Sequence, residues 1–207
     1  MNGCRGFIYK EKIYIFGGFV NGIYSNELQV IDIQKCDVSI LNTSGEIPQP
    51  RSTPILTVHN DKLYIWGGYN GEWPNDISIL DLKTLVWSTV HQNESGRTSM
   101  PYVYYKDTGK VISYGGSHIK GLFIIDLNSS KGPTTKIIPT YGSIPPSDLM
   151  HSAMVKVGNL IFFFGGRNKD NDLSILYALD TIKNYWFVFH VMPDNESTTL
   201  NDGVISE

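Results

Sequence analysis

Tyr14-Ile15-Phe16-Gly17-Gly18 is echoed by Tyr64-Ile65-Trp66-Gly67-Gly68, by Ile112-Ser113-Tyr114-Gly115-Gly116 and by Phe162-Phe163-Phe164-Gly165-Gly166. The first glycines of these pairs are 50, 48 and 50 residues apart. A fixed period of this length marks a chain built from repeated supersecondary units. Each stretch is rich in β-branched and aromatic residues, which suit a half-buried pleated surface. Tight-turn signals precede them at Lys10-Glu11, Asn60-Asp61, Thr108-Gly109 and Gly158-Asn159. The repeating unit is therefore read as a small antiparallel sheet, and no helical periodicity of useful length interrupts the pattern.

Other marks keep the same register. Val30-Ile31-Asp32-Ile33, Ile79-Leu80-Asp81-Leu82, Ile124-Ile125-Asp126-Leu127 and Tyr177-Ala178-Leu179-Asp180 each place an aspartate at the end of an apolar run, where its side chain can cap a turn. Trp87 and Trp186 follow two of these turns, placed to bury large flat surfaces between neighbouring sheets. An Asn-acid-aliphatic triplet recurs as Asn26-Glu27-Leu28, Asn75-Asp76-Ile77 and Asn171-Asp172-Leu173.

This order of strand, turn, aromatic strand, double glycine, loop, Asn-Asp-Leu, third strand, Asp turn and tryptophan strand resembles the kelch repeat, over roughly nine tenths of the chain. Gly45-Glu46-Ile47-Pro48-Gln49-Pro50-Arg51 is similar to the junction between kelch blades. The resemblance implies an all-β, kelch-type β-propeller of about four blades of four antiparallel strands. The array is expected to span residues 1–190, with repeats at about 1–50, 51–96, 97–147 and 148–190, followed by an acidic tail or the start of a further blade at 191–207. Kelch propellers more often have five to seven blades, while four can close a ring in other propeller families, so the array is either an unusually small propeller or, the favoured reading, an incomplete or fragmentary one. The pattern weakens in places. Val38 stands where repeat one would have its tryptophan. Repeat three lacks both the triplet and the tryptophan and carries a polar insert at Asn128 to Thr135, which predicts the most irregular blade.

Composition excludes several classes. The net charge is −3, but Val191 to Glu207 holds four acids and no base, leaving 17 bases against 16 acids in the body. No strongly basic face for nucleic acid is implied. No apolar run approaches the roughly 20 residues of a membrane-spanning helix. The opening residues show no signal-peptide pattern, so a cytoplasmic setting is the expectation. Cys4 and Cys36 are too few for a disulfide framework, and Cys36 reads as a small buried hydrophobe at the start of a fourth strand.

The five histidines form no cluster with metal-ligand spacing, and no nucleophile elbow, P-loop or dinucleotide fingerprint is present. Neither the ligand pattern of copper radical oxidases nor the acid-acid-His motif of iron-dependent plant specifier proteins, two enzymatic branches of the kelch propellers, is found. No cofactor is expected. The loops after the double glycines attract more interest, because loops on a rigid scaffold commonly carry function. In kelch substrate adaptors the residues after the glycines, and an arginine at the entrance to the first strand, line the partner-binding face. By resemblance these are Phe19, Tyr69, Asn70, Ser117, Arg167 and Asn168, with Arg51 and Arg97. Trp73 joins them as an aromatic flanked by Glu72, Pro74 and Asn75 in a loop.

The function expected is a non-enzymatic scaffold or regulator that binds another protein, gripping an acidic or polar segment through its arginines. Two alternatives stand beside it: the recognition part of a ubiquitin-ligase adaptor, and a propeller enzyme or metal-dependent specifier.

Overall fold

A computed structural model describes residues 2–116, 121–169 and 172–189. Four sheets follow one another along the chain, each a propeller blade whose consecutive strands pair antiparallel. Blade 1 comprises β1 (Arg5–Tyr9), β2 (Lys12–Val20), β3 (Ile23–Asp32) and β4 (Asp37–Ile40). A short strand, β5 (Ser44–Gly45), precedes blade 2, which holds β6 (Ile55–His59), β7 (Lys62–Trp66), β8 (Asp76–Asp81) and β9 (Val86–His91). Blade 3 comprises β10 (Tyr102–Tyr105), β11 (Lys110–Tyr114), β12 (Leu122–Asp126) and β13 (Thr134–Ile138). Then come β14 (Tyr141–Gly142) and blade 4, with β15 (Ala153–Val157), β16 (Leu160–Phe164), β17 (Leu176–Asp180) and β18 (Tyr185–Phe189).

The turns behave as their residues predict. Lys10-Glu11 and Asn60-Asp61 have positive φ at both positions, the conformation that joins two strands through a two-residue loop. Asp81 accepts from the Lys83 and Thr84 amides at 2.9 Å, and Asp32, Asp126 and Asp180 cap their turns in the same way. Those backbone donors hold the Asp32, Asp81 and Asp180 carboxyls below the usual carboxylate range.

The double glycines let adjacent blades touch through backbone. The amides of Gly18, Gly68 and Gly116 donate to the carbonyls of Arg51, Arg97 and Leu149, each at the entrance of the next blade, at 2.7–2.9 Å. Gly67 sits at φ +67, and a Cβ there would lie 2.4 Å from the Arg97 carbonyl oxygen, so no larger residue fits. In blade 1 the glycines do not end the second strand. They form a bulge, and β2 runs on to Val20, turns at Asn21-Gly22 and pairs Phe19 with Tyr24.

The segments joining blades also seal the outer strand of the blade they enter. Ser44–Gly45 pairs parallel with Val86–Trp87, and Tyr141–Gly142 with Tyr185–Trp186. At blade 3 a side chain takes over this task. Gln92 accepts from the Thr135 amide at 3.0 Å and donates to the Pro133 carbonyl at 3.1 Å.

Three apolar cores lie between consecutive blades. Phe16 and Leu28 meet Leu56, Leu63, Ile65, Leu80 and Trp87. Ile55, Tyr64, Trp66 and Ile77 meet Val111, Phe123 and Ile125. Val103, Ile112, Tyr114 and Leu122 meet Ile161, Phe163, Tyr177, Leu179 and Trp186. Among the described residues no apolar core joins blades 1 and 4. Val38, in the place of the tryptophan, is 60% exposed. Cys36 departs from the sequence expectation. It is exposed, because its φ of 51° places it in the left-handed corner of a surface turn rather than on a strand face.

Candidate partner-binding face

After three of the double glycines the next residue pairs with backbone at the opening of a blade: Phe19 with Asn2, Tyr69 with Ser52 and Arg167 with Met150. This bridge fixes where the loop side chains start. Phe19 and Tyr69 come out side by side on neighbouring blades, with Tyr24 between them. The ring centroids of Phe19 and Tyr24 lie 4.7 Å apart, those of Tyr24 and Tyr69 6.0 Å, and those of Tyr69 and Trp73 5.5 Å. The result is an unbroken row of four aromatic side chains across blades 1 and 2. Both ends of the row are exposed, Phe19 and Trp73 at 39% each.

Two depressions flank this row. One, of about 240 Å³, lies between Phe19, Tyr24 and Tyr69 and the blade entrances at Thr53, Ser99 and His151. The other, of about 360 Å³, lies between the connector Glu46–Gln49 and the Glu72–Asp76 loop, with Trp73 on its rim. Asn70 is spent on local structure: its carbonyl accepts from the Glu72 amide at 3.2 Å, and its amide donates to the Gln49 side chain at 3.3 Å. The asparagines of the recurring triplet do similar work. Asn26 and Asn75 donate to the connector carbonyls of Pro48 and Gln92 at 2.9 and 2.8 Å.

The arginines do not form the expected grip. Arg51 is 1% exposed and donates to both Asp76 carboxylate oxygens at 3.0 and 3.1 Å, and to the carbonyls of Gly67 and Gln49. Burial alone would raise the Asp76 carboxyl. The Arg51 guanidinium and the Ser78 hydroxyl overcome it and hold the group below its ordinary value. Arg97 is fully buried, stacked 4.8 Å over the Phe123 ring, and donates to the Gly115 and Gly121 carbonyls at 3.4 and 3.3 Å. Gly121 occupies the position of Asp76 in this repeat, immediately before the first buried residue of the third strand. Without that carboxylate, burial pushes the guanidinium down to about 10. Both arginines therefore brace blade junctions and expose almost no surface.

Arg167 is exposed and already held by Asp172, at 2.7 Å from Nε and 3.4 Å from Nη2. It stands in blade 4, away from the aromatic row, as does the half-buried Asn168. Ser117 lies outside the described residues. Of the residues anticipated from sequence, Phe19, Tyr69, Asn70 and Trp73 come together, and Tyr24 is the addition. Its signal was the Asn21-Gly22 turn, since a two-residue hairpin there sets position 24 opposite Phe19.

Among the described residues no group of three or more His, Cys, Asp or Glu side chains is arranged to hold a metal ion. No helix of the described residues is long and apolar enough to cross a membrane. His59 is buried in a polar contact between blades 2 and 3, with Tyr104 at 2.7 Å and Asn128 at 2.8 Å from its two ring nitrogens.

Comparison with known proteins agrees with the repeat fold. Residues 4–116, more than half of the chain, match the model of the KLHDC2/KLHL20/DRC7 Kelch-repeats domain. Kelch domain-containing protein 1 of Mus musculus is 24% identical over 227 residues, covering 93% of this chain and 56% of that protein. Acyl-CoA-binding domain-containing protein 4 of Arabidopsis thaliana is 33% identical over 161 residues, 68% of this chain and 23% of that protein. N-(sulfonatooxy)prop-2-enimidothioate sulfolyase of Thlaspi arvense is 26% identical over 145 residues, 69% of this chain and 28% of its own length. The chain thus spans between about a quarter and just over half of these relatives. The chain belongs to the kelch-repeat family.

Proposed function

We propose that this chain is a non-enzymatic scaffold or regulator that holds a partner protein on the aromatic row Phe19–Tyr24–Tyr69–Trp73. The observation that carries this reading is the row itself: four rings in continuous contact, exposed at both ends, on loops fixed by backbone bridges to a rigid array. Aromatic side chains offer large contact area at low cost in conformational entropy and are enriched among interface hot spots. The flanking depressions suit an extended segment lying along the row.

The partner chemistry differs from that expected of the arginines. Arg51 is neutralised by Asp76 and Arg167 by Asp172, whereas Glu46 and Glu72 stand exposed beside Trp73. An acidic segment would meet like charge there. The row favours a segment with apolar anchors and a Lys or Arg, whose cation can sit between those carboxylates and the indole face.

Selection from a displayed peptide library against the purified chain tests this reading. Enriched peptides should combine aromatic or aliphatic anchors with a basic residue. Trp73→Ala and Phe19→Ala should each weaken them by more than about 2 kcal/mol, roughly 30-fold, with circular dichroism unchanged. Peptides that bind both variants as tightly as the parent chain would place the interface elsewhere.

A further inference from the structure

Asn-Gly occurs three times in this chain, as Asn2-Gly3, Asn21-Gly22 and Asn70-Gly71, and all three lie in or beside the aromatic row. In this dipeptide the asparagine side chain is open to attack by the next backbone nitrogen, because glycine has no Cβ to block the approach. The structure treats the three unequally. Asn70 is tied down at both ends of its amide group: Oδ1 accepts from the Glu72 N–H at 3.2 Å, and Nδ2 donates to Gln49 at 3.3 Å. The Asn2-Gly3 peptide is clamped between Phe19 and the entrance of blade 2. Asn2 exchanges backbone hydrogen bonds with Phe19 at 2.9 and 2.7 Å, and the Gly3 carbonyl accepts from the Thr53 N–H at 2.6 Å. A Cβ on Gly3 would lie 3.0 Å from the Ser52 and Thr53 side chains. Asn21 and Gly22 are exposed at the tip of the β2–β3 hairpin, and a Cβ on Gly22 would meet nothing within 4 Å. Among the described residues none hydrogen-bonds the Asn21 side chain. Beyond the bulge the tip is held by three residue pairs, Gly18 with Ser25, Phe19 with Tyr24 and Val20 with Ile23, so it can open without the rest of the blade.

We infer that Asn21 is a site of covalent self-modification, deamidating through a cyclic imide. When the tip opens, the Gly22 nitrogen, its proton lost to solvent hydroxide, attacks Asn21 Cγ. A bond forms between that nitrogen and Cγ, the bond from Cγ to Nδ2 breaks, and Nδ2 takes up protons from solvent and leaves as ammonia. Water then opens the five-membered imide. Addition at Cγ gives aspartate, and addition at the backbone carbonyl carbon gives isoaspartate. The net change is ammonia exchanged for water, with no electrons transferred. The two products act differently on the hairpin. Aspartate accepts the left-handed conformation that Asn21 holds at φ 51, so it keeps the turn and adds one negative charge. Isoaspartate adds a carbon to the main chain, and a two-residue loop of that length no longer matches the Val20–Ile23 pair. Phe19 and Tyr24, the next pair along, then lose their register. Any consequence for a partner rests on the reading of the aromatic row as an interface; the chemistry at Asn21 does not.

The test ages the full chain in mildly alkaline buffer made with heavy-oxygen water and follows each asparagine by peptide mapping and mass spectrometry. No partner is present, so the outcome does not depend on what the row binds. Asn21 should convert first, at least ~10-fold faster than Asn70 or Asn2, the margin set by the hydrogen bonds that must break before those two react. The product should carry one heavy oxygen and resolve into isoaspartate and aspartate. In denaturant the three dipeptides should convert at similar rates, because the structure that separates them is gone. A folded chain in which Asn70 or Asn2 converts as fast as Asn21 would overturn the inference. So would the same spread of rates in denaturant, which would place the selectivity in the sequence alone.

Discussion

Blades 2 and 3 differ from blades 1 and 4 in what covers them rather than in how they are made. All four use the same strand order, the same aspartate-capped turns and the same double glycine. Yet the aromatic residue before the glycines is sealed in three blades and half exposed in the fourth. The tryptophan position is sealed at Trp87 and Trp186 and 60% exposed at Val38. A blade thus completes only half of its own core, and its neighbour supplies the rest. Residues alike in sequence and local geometry then differ in energetic weight according to their place along the array.

The largest expected effect comes from equivalent truncations at the two kinds of site. Phe16→Ala and Trp87→Ala each empty a filled interblade core and should cost about 3–5 kcal/mol in equilibrium unfolding. Phe164→Ala, measured in dilute solution, should cost about 1 kcal/mol or less, because half of that ring already faces water. Equal losses at Phe16 and Phe164 would remove the distinction.

The arginines sharpen the comparison. Arg51→Ala leaves Asp76 partly buried and unpaired, and should cost about 3 kcal/mol. Arg167→Ala breaks an ion pair lying wholly in water and should leave the unfolding midpoint unchanged. The pH dependence follows from Asp76. Its folded pKa lies below the ordinary 3.8, so the pair's contribution is complete above the unfolded value and is lost as pH falls through the lowered folded value. Acid titration of unfolding should show this loss in the parent chain. It should be absent in Asp76→Asn, which begins from a lower plateau.

Much of the fold was legible because the marks are local. Gly67, Asp81 and the Asn60-Asp61 turn work within a few residues of themselves, and a period repeats them. The site was harder to read. Arg51 and Arg97 looked alike as lone arginines at blade entrances, but burial depends on the neighbouring blade. Only the pairing of Arg51 with Asp76, 25 residues on, explains how its charge is accommodated. Tyr24 was hidden because its contribution arises across a hairpin and then across a blade boundary to Tyr69. Cys36 reads as inward from its place at a strand start, whereas the turn's positive φ sets it outward.

Hydroxyl-radical footprinting of the dilute chain, read residue by residue by mass spectrometry, tests the unequal cover of the blades most directly. The account predicts strong labelling of Phe164, Ile8 and Val38, and protection of Phe16, Trp66 and Tyr114. Protection of Phe164 and Ile8 equal to that of Phe16, in a chain shown to be monomeric, would mean that blades 1 and 4 cover one another and would contradict it.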